Sequence, residues 1–549
     1  MREKGKRFIT KYGFRLFVFV SLTVVFMLLG RDGPVLFDDS GSYMRIRWHE
    51  GVMPAYPILL LLNQYFFGDS WYLWAVILEQ ALLAAFSITV FEETVRKRFG
   101  LLPVEGVLIC LFALYPYTIE MPVVMTQAIL TEGIAYSIFY LFLAVLLSAV
   151  WDKSYIRLAG AFGMTLLLSA VRSQLQILFA VCGIVFFYLV CMGKKTTGKG
   201  RRIIRAAAGF LGCMAVSLAG VVLVLGLIRG YRVMLGPEHP FNRFGLKVQW
   251  PEVYQIALEE DRQKAAAQAA GTGPEADAAA QNAGTEPEAD AAVQDAGTEP
   301  EAQAGAETEE ALVDKSFTTS QYMTLIFSRG MYEADYEDAA LFQDPVVKGL
   351  FLALYEETDR EQERYAYARE GLWMWKDIVG GIGKIGGTCL FTPSEYYVEY
   401  APEVIRSDQF SEIRSSHLRT IGFTLIRAHF GRFLYHTLML LPQAFISTVF
   451  FQFAPLYGFC HLVTAFLYLA ALSLMIWGYA DVRARREGAE MMALVLGSNV
   501  VTVLVISLVF FGQQRYLVYN FGPFYIAFYL LLRQLWRVRL REFLRRRKR

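Results

Sequence analysis

The sequence predicts an all-α polytopic membrane protein with about ten transmembrane helices and one large loop outside the membrane. Three observations carry that expectation. Hydrophobic residues make up 55% of the 549 residues and charged residues only 19%, against about a quarter charged in a typical soluble protein. Mean hydropathy is +0.36. Uncharged stretches close to the ~20 residues that a bilayer requires recur along the chain. Together these exclude a soluble enzyme, a disordered chain and a disulfide scaffold, and they make a lipid bilayer the first expected partner.

The spans are expected at 14–30, 71–91, 101–118, 131–150, 158–171, 174–192, 206–228, 458–478, 490–511 and 516–533. The first follows a basic stretch (Arg2, Lys4, Lys6, Arg7, Lys11, Arg15), as a signal peptide would. No small-x-small cleavage pattern follows it, so a retained helix is expected. The fifth and sixth share 158–193, where Arg172 is the sole charge, which suits a hairpin of two short spans turning there. Basic clusters at Arg96-Lys97-Arg98, Lys153/Arg157, 194–205, Arg483/Arg485/Arg486 and Arg537–Arg549 read as cytoplasmic. Ten spans in the cell membrane, with both termini cytoplasmic, satisfy all of them and leave 31–70 and 229–457 extracytoplasmic. Residues 437–480 hold no Asp, Glu, Lys or Arg. A span at 437–453 would move Arg483, Arg485 and Arg486 outside or invert the tail. An interfacial helix over 427–457 is expected instead, with Arg427, Arg432 and His436 at its polar start.

The net charge of +2 hides a segregation. Residues 264–315 carry twelve acids and two bases, leaving 51 bases against 39 acids elsewhere. That excess sits mostly in short loops and tails, so no nucleic-acid partner is read from it. Within the acidic stretch a 13-residue repeat runs AGTGPEADAAAQN, AGTEPEADAAVQD, AGTEPEAQAG. Almost no apolar residue there is larger than Ala, so the repeats are expected to be a disordered spacer. The expected organisation is an N-terminal transmembrane module (1–230) with its first outer loop (31–70), a linker (231–263), the repeats (264–315) and a helical subdomain (316–426). The interfacial helix (427–457) and the C-terminal transmembrane helices with their basic tail (458–549) follow.

Asp38 and Asp39 stand just beyond the first span. Adjacent carboxylates bias each other's ionisation and suit a base or a cation site, although FDDSGS is also good helix-capping chemistry. Glu132 opens the fourth span, either facing a cavity or as a first-turn acid favoured by the helix dipole. Glu79, midway along the second span, is expected to pair with a basic residue or to be protonated. Arg172 and Arg515 are lone arginines at the outer face. They read as anchors that snorkel to the interface or as a clamp on an anionic headgroup. The six histidines show no ligand spacing. His429 and His436 are seven apart and share a helix face, for which an interfacial position is the simpler account. The six cysteines pair in no metal-ligand pattern, and GGIGKIGG at 380–387 is not a nucleotide-binding loop.

In order along the chain, these pieces resemble the membrane glycosyltransferases of the C-type (GT-C) fold, in particular bacterial relatives of protein mannosyltransferases and the lipid A aminoarabinose transferase. The likeness rests on Asp39-Ser40-Gly41-Ser42-Tyr43 after the first span and on Pro54-Ala55-Tyr56-Pro57-Ile58-Leu59-Leu60 leading into a membrane-parallel helix. It continues through Thr131-Glu132, Ala170-Val171-Arg172-Ser173, Arg427-Ala428-His429-Phe430 and Arg515-Tyr516, over roughly 1–230 and 427–533. Ser173 and Phe430 stand where relatives carry Pro, and 237–426 has no recognised counterpart. The resemblance implies transfer of a sugar from a polyprenyl-phosphate donor to an extracytoplasmic glycan, lipid or protein, with inversion. It implies Asp39 or Asp38 as base, with Glu132 assisting. Arg172 and Arg515 would hold the phosphate, with Tyr43, Tyr516 and His429 lining the substrate. Relatives differ in metal use. No ligand cluster is read, so neither a cofactor nor a metal is expected, with a divalent cation left open. Three other readings remain open: a transporter or flippase of a lipid-linked anion, a surface binding protein acting through 316–426, and a polysaccharide polymerase or ligase.

Overall fold

The computed structural model describes residues 2–37, 40–44, 53–119, 122–192, 199–235, 321–368, 374–406, 410–450, 457–480, 486–509 and 514–547. The repeats and most of the linker lie outside the described residues. Of the described residues 89% are helical and none lies in a strand. The N-terminal helices are α1 (Arg2–Leu29), α2 (Ser40–Met44), α3 (Ala55–Phe99), α4 (Pro103–Leu114), α5 (Thr131–Asp152), α6 (Tyr155–Val171), α7 (Leu178–Met192) and α8 (Lys199–Leu235). After the undescribed stretch come α9 (Gln321–Tyr332), α10 (Pro345–Arg360), α11 (Met374–Tyr400), α12 (Pro402–Arg406) and α13 (Phe410–Ala428). The chain ends with α14 (Phe430–Val449), α15 (Tyr457–Ala480), α16 (Glu487–Val509), α17 (Gln514–Leu517) and α18 (Phe521–Arg547).

Among the described residues, six stretches are long and apolar enough to cross a membrane: Ala55–Phe99, Thr131–Asp152, Ser173–Cys191, Ile203–Gly230, Phe459–Ala480 and Glu487–Val509. Each overlaps one expected span, and three of them (Ala55–Phe99, Thr131–Asp152 and Ile203–Gly230) contain it whole. Three further expected spans fall on the shorter apolar helices Gly13–Leu29, Pro103–Thr118 and Tyr155–Val171. The last, 516–533, falls on α17, a short turn and the strongly basic α18. The chain is thus an all-α membrane protein. α5 is its central helix, with 18 of 22 residues buried. In the apolar window of α8, by contrast, only 11% is buried, which leaves that helix to face lipid.

α3 is broken. Gly68 has φ 70° and ψ 174°, a conformation open to glycine. The segment 55–67 therefore folds back along 69–99. Asn63 Nδ2 donates to Glu79 Oε2 at 2.9 Å, and Gln64 Nε2 donates to Asp69 Oδ1 at 2.5 Å. The expectation of a basic partner for Glu79 is thereby corrected. The sharp turn brings an amide alongside it, which spares a second charge at that depth.

Helix ends gather at two ends of the bundle. At one end, Arg98 bridges Asp152 (3.0 Å) and Glu487 (3.3 Å), and Tyr188 donates to Glu490 at 2.7 Å. Arg533 binds Glu105 (2.9 Å) and the carbonyls of Phe99 and Gly100 (both 3.2 Å). These contacts gather the ends of α3, α5 and α7 and the starts of α4 and α16, where the basic clusters lie. The opposite end holds Glu132, Arg172 and the start of α15. The helical subdomain packs at that end, its Trp375 lying 5.9 Å ring to ring from His461. The subdomain has its own core of Phe327, Met331, Leu350, Phe351, Leu354, Ile378, Ile382, Leu418 and Ile421.

α14 exists where an amphipathic helix was expected, but its histidines face protein. His436 is 3% exposed and its Nδ1 lies 2.7 Å from Glu333 Oε1, so an interfacial position does not account for it. Beside this pair Arg329 is fully buried, donating to Thr437 Oγ1 at 2.6 Å and lying 4.7 Å from the Phe433 ring. Burial pushes the Arg329 guanidinium down to about 10, still protonated at neutral pH.

Candidate functional site around Glu132 and Arg172

Glu132 sits in the first turn of α5, where the helix dipole favours an acid. Arg172 caps α6 in extended conformation (φ −143°, ψ 122°), its backbone N–H bonding Leu168 O. A 3-10 turn, Ser173–Ile177, then reverses the chain into α7. The hairpin expected from 158–193 is therefore present, and it delivers Arg172 to the start of α5. Arg172 Nη1 lies 2.5 Å from Glu132 Oε1, with the side chains 10% and 2% exposed. The other carboxylate oxygen of Glu132 accepts from Thr131 Oγ1 at 3.1 Å.

Tyrosines collar the pair. The Arg172 guanidinium lies 5.0 Å from the Tyr516 ring centre, and Tyr519 and Tyr43 are close enough to feel its charge. Tyr136 meets Tyr519 edge to face at 4.8 Å, and Tyr43 meets Tyr56 the same way at 5.4 Å. Tyr56 is fully buried, and its hydroxyl makes no hydrogen bond within the described residues. A charge pair in so little water is strongly coupled, and removing either partner strands the other.

The first loop is fastened to the same place. Val35 forms an isolated bridge with Ala128, donating to Gln127 O at 3.0 Å and accepting from Ile129 N at 2.9 Å. The fully buried Ser40 hydroxyl donates to Ile129 O at 2.9 Å and accepts from Phe37 N at 2.8 Å. Gln80 ties residues 126–128 down from α3, donating to Thr126 O (3.2 Å) and Ala128 O (3.1 Å). Gly133 permits this approach, because a Cβ there would lie 2.3 Å from Gln80 Oε1. Asp38 and Asp39 lie outside the described residues. The residues on either side of them are held against the segment that leads into Glu132.

Of the sequence candidates, Glu132, Arg172, Tyr43 and Tyr516 thus come together. Arg515 belongs to α17 beside Tyr516, and its side chain lies outside the described residues. His429 does not join them. It starts α14, whereas Tyr516 packs against the cluster that includes Ala444, roughly 22 Å further along that helix. His429 Nε2 instead lies 2.6 Å from Asp338 Oδ2. Arg432 bridges His429 Nδ1 and Asp335 Oδ2, the latter at 2.7 Å, and Tyr365 donates to Asp335 Oδ1 at 2.8 Å. Asp335, Asp338 and His429 have ligand atoms within 4.8 Å of one another and could offer three donors to a cation. Arg432 already supplies the positive charge there, so the group as it stands is a clamp between α14 and the segment after α9. Burial works to raise Asp335, but the hydrogen bonds from Arg432 and Tyr365 and the Arg432 charge outweigh it, holding the carboxyl below its ordinary value.

Sequence reasoning missed Tyr519 and Gln80. The spacing Tyr516-x-x-Tyr519 places both rings on one side of a turn, which was a usable signal. Gln80 had none. No family model and no curated protein matches the chain.

Proposed function

We propose that the chain is a membrane glycosyltransferase that moves a sugar from a polyprenyl-phosphate donor to an extracytoplasmic glycan, lipid or protein, with inversion. The observation that supports this reading is the buried Glu132–Arg172 pair, collared by tyrosines and set beside the fastened first loop. In this reading both termini are cytoplasmic and the prenyl tail lies between helices. The donor phosphate faces Arg172, with Arg515 as its second cation. Asp39, tuned by Asp38, takes the proton of the acceptor hydroxyl, while Glu132 assists by orienting that hydroxyl. The acceptor oxygen bonds to the anomeric carbon as the carbon's bond to phosphate oxygen breaks. The electron pair leaves with the phosphate, whose charge Arg172 stabilises in a site poor in water. Tyr43 and Tyr516 line the sugar and phosphate.

The test is Asp39→Asn. The variant is expected to reach normal membrane levels and bind donor while sugar transfer falls by about 10²–10⁴-fold, read with radiolabelled polyprenyl-phosphate sugars. A lost helix cap would instead cost ~1 kcal/mol of stability and spare the chemistry. Transfer at the wild-type rate would remove Asp39 from the mechanism.

A further inference from the structure

We infer that the Glu132 carboxylate is the resting occupant of an anion site on Arg172, and that a lipid-linked phosphate takes its place there. The identity of that anion rests on the glycosyltransferase reading; the exchange itself does not. Among the described residues, Glu132 is the one carboxylate paired with Arg172. The guanidinium fork fits a carboxylate and a phosphate with the same two-point geometry. A phosphodiester carries one negative charge, as a carboxylate does, and a phosphomonoester between one and two, so either can replace the carboxylate as the counter-ion of Arg172. Tyr516 and Tyr519 crowd the guanidinium and keep water away. Two anions cannot share it there without strong repulsion, so an incoming phosphate displaces Glu132.

Glu132 has somewhere to go. It stands in the first turn of α5, where the helix dipole stabilises a carboxylate that has lost its cation, and Thr131 Oγ1 already donates to it. Released, the carboxylate becomes available to the acceptor hydroxyl only when a phosphate is seated. Donor binding would thus unmask the assisting group, and an empty site would keep it neutralised. That order protects against futile activation of water in the absence of donor.

The experiment compares wild type, Glu132→Gln and the double variant E132Q/R172Q, full length in nanodiscs, with undecaprenyl phosphate and uncharged undecaprenol as probes. Glu132→Gln is expected to bind undecaprenyl phosphate about tenfold or more tightly than wild type, because the internal competitor is gone. Undecaprenol should bind all three alike, and the double variant should lose the preference for the phosphate. If Glu132→Gln folds only when undecaprenyl phosphate is supplied during purification, the exchange is equally supported. Phosphate binding by Glu132→Gln no tighter than by wild type, or failure to fold with the phosphate present, overturns it. Sugar transfer is assayed separately. Tightening without transfer by wild type would defeat the glycosyltransferase reading alone, and transfer without tightening would defeat the exchange alone.

Discussion

At the basic end of the bundle Arg98 divides itself between Asp152 and Glu487, and these three side chains are 30%, 40% and 20% exposed. At the opposite end Arg172 holds Glu132 with 10% and 2% exposed, inside a ring of tyrosines. The chemistry is the same, a guanidinium and a carboxylate, but the surroundings decide what each can do. Shared, wetted pairs fasten helix ends cheaply, and water replaces a lost partner. A dry pair is a poor fastener, because desolvating both charges consumes most of what the contact returns. A chain that keeps such a pair where a hydrophobic contact would serve stability as well gains something else from it, and recognition of an anion is the use proposed above.

Breaking each end in turn sharpens this contrast. Arg172→Ala strands a buried carboxylate and is expected to cost about 3–5 kcal/mol of stability, seen as a large drop in melting temperature in detergent, together with loss of donor binding. Arg98→Ala is expected to cost at most about 1 kcal/mol. Equal losses would erase the distinction between the ends.

The subdomain should respond to acid before the bundle does. Burial holds the His417 imidazole below its ordinary value, with Asp344 opposing. Its contribution is therefore complete above about pH 6.5 and is lost as pH falls toward the folded value. Asp335 is likewise depressed in the folded state, so its contribution is present above the ordinary carboxylate range and lost as pH falls through the folded value. Amide protection over 321–428, taken from exchange rates corrected for their intrinsic pH dependence, is expected to be flat between pH 8 and 7 and to fall below about pH 6.5, and further below about pH 4. His417→Gln should remove the first phase. The His417 Nδ1 lies 2.8 Å from the Tyr397 hydroxyl, joining α13 to α11; protection that is constant down to pH 5 would show that this contact is not what holds them together. The smallest effect is expected from deleting 270–305, since lengthening or shortening a loop changes closure by only ~0.6 kcal/mol per doubling. Melting temperature and sugar transfer should both stay at wild-type levels, and a loss of either would give the repeats a structural role.

What the sequence allowed to be read follows from the range of each signal. α5, α15 and α16 are legible because an apolar run of bilayer length has few other uses. The turn at Arg172 is legible because a lone charge in 158–193 breaks one run into two. Glu132 and Arg172 each stood out singly, but their pairing spans forty residues, and charge patterning carries no information over that distance. Tyr519 was passed over because an aromatic residue in an apolar stretch looks the same facing lipid or facing a guanidinium. The histidines of α14 were misread for a related reason. Their partners, Glu333 and Asp338, are 103 and 91 residues earlier in the chain, and an amphipathic face turned to protein has the same periodicity as one turned to a membrane surface.

The break at Gly68 sets a length. A continuous α-helix over the 45 residues of α3 would measure roughly 68 Å, more than twice the ~30 Å of a bilayer's hydrocarbon core. Left straight, it would carry Tyr56 and the Pro54-Ala55-Tyr56-Pro57 segment far out into solvent. Doubling back at one glycine returns about 20 Å of that helix, and with it Tyr56, to the level of Tyr43. One residue that can adopt φ 70° thus fixes the height at which the first loop meets the bundle, much as a hinge pin fixes how far a folding rule reaches.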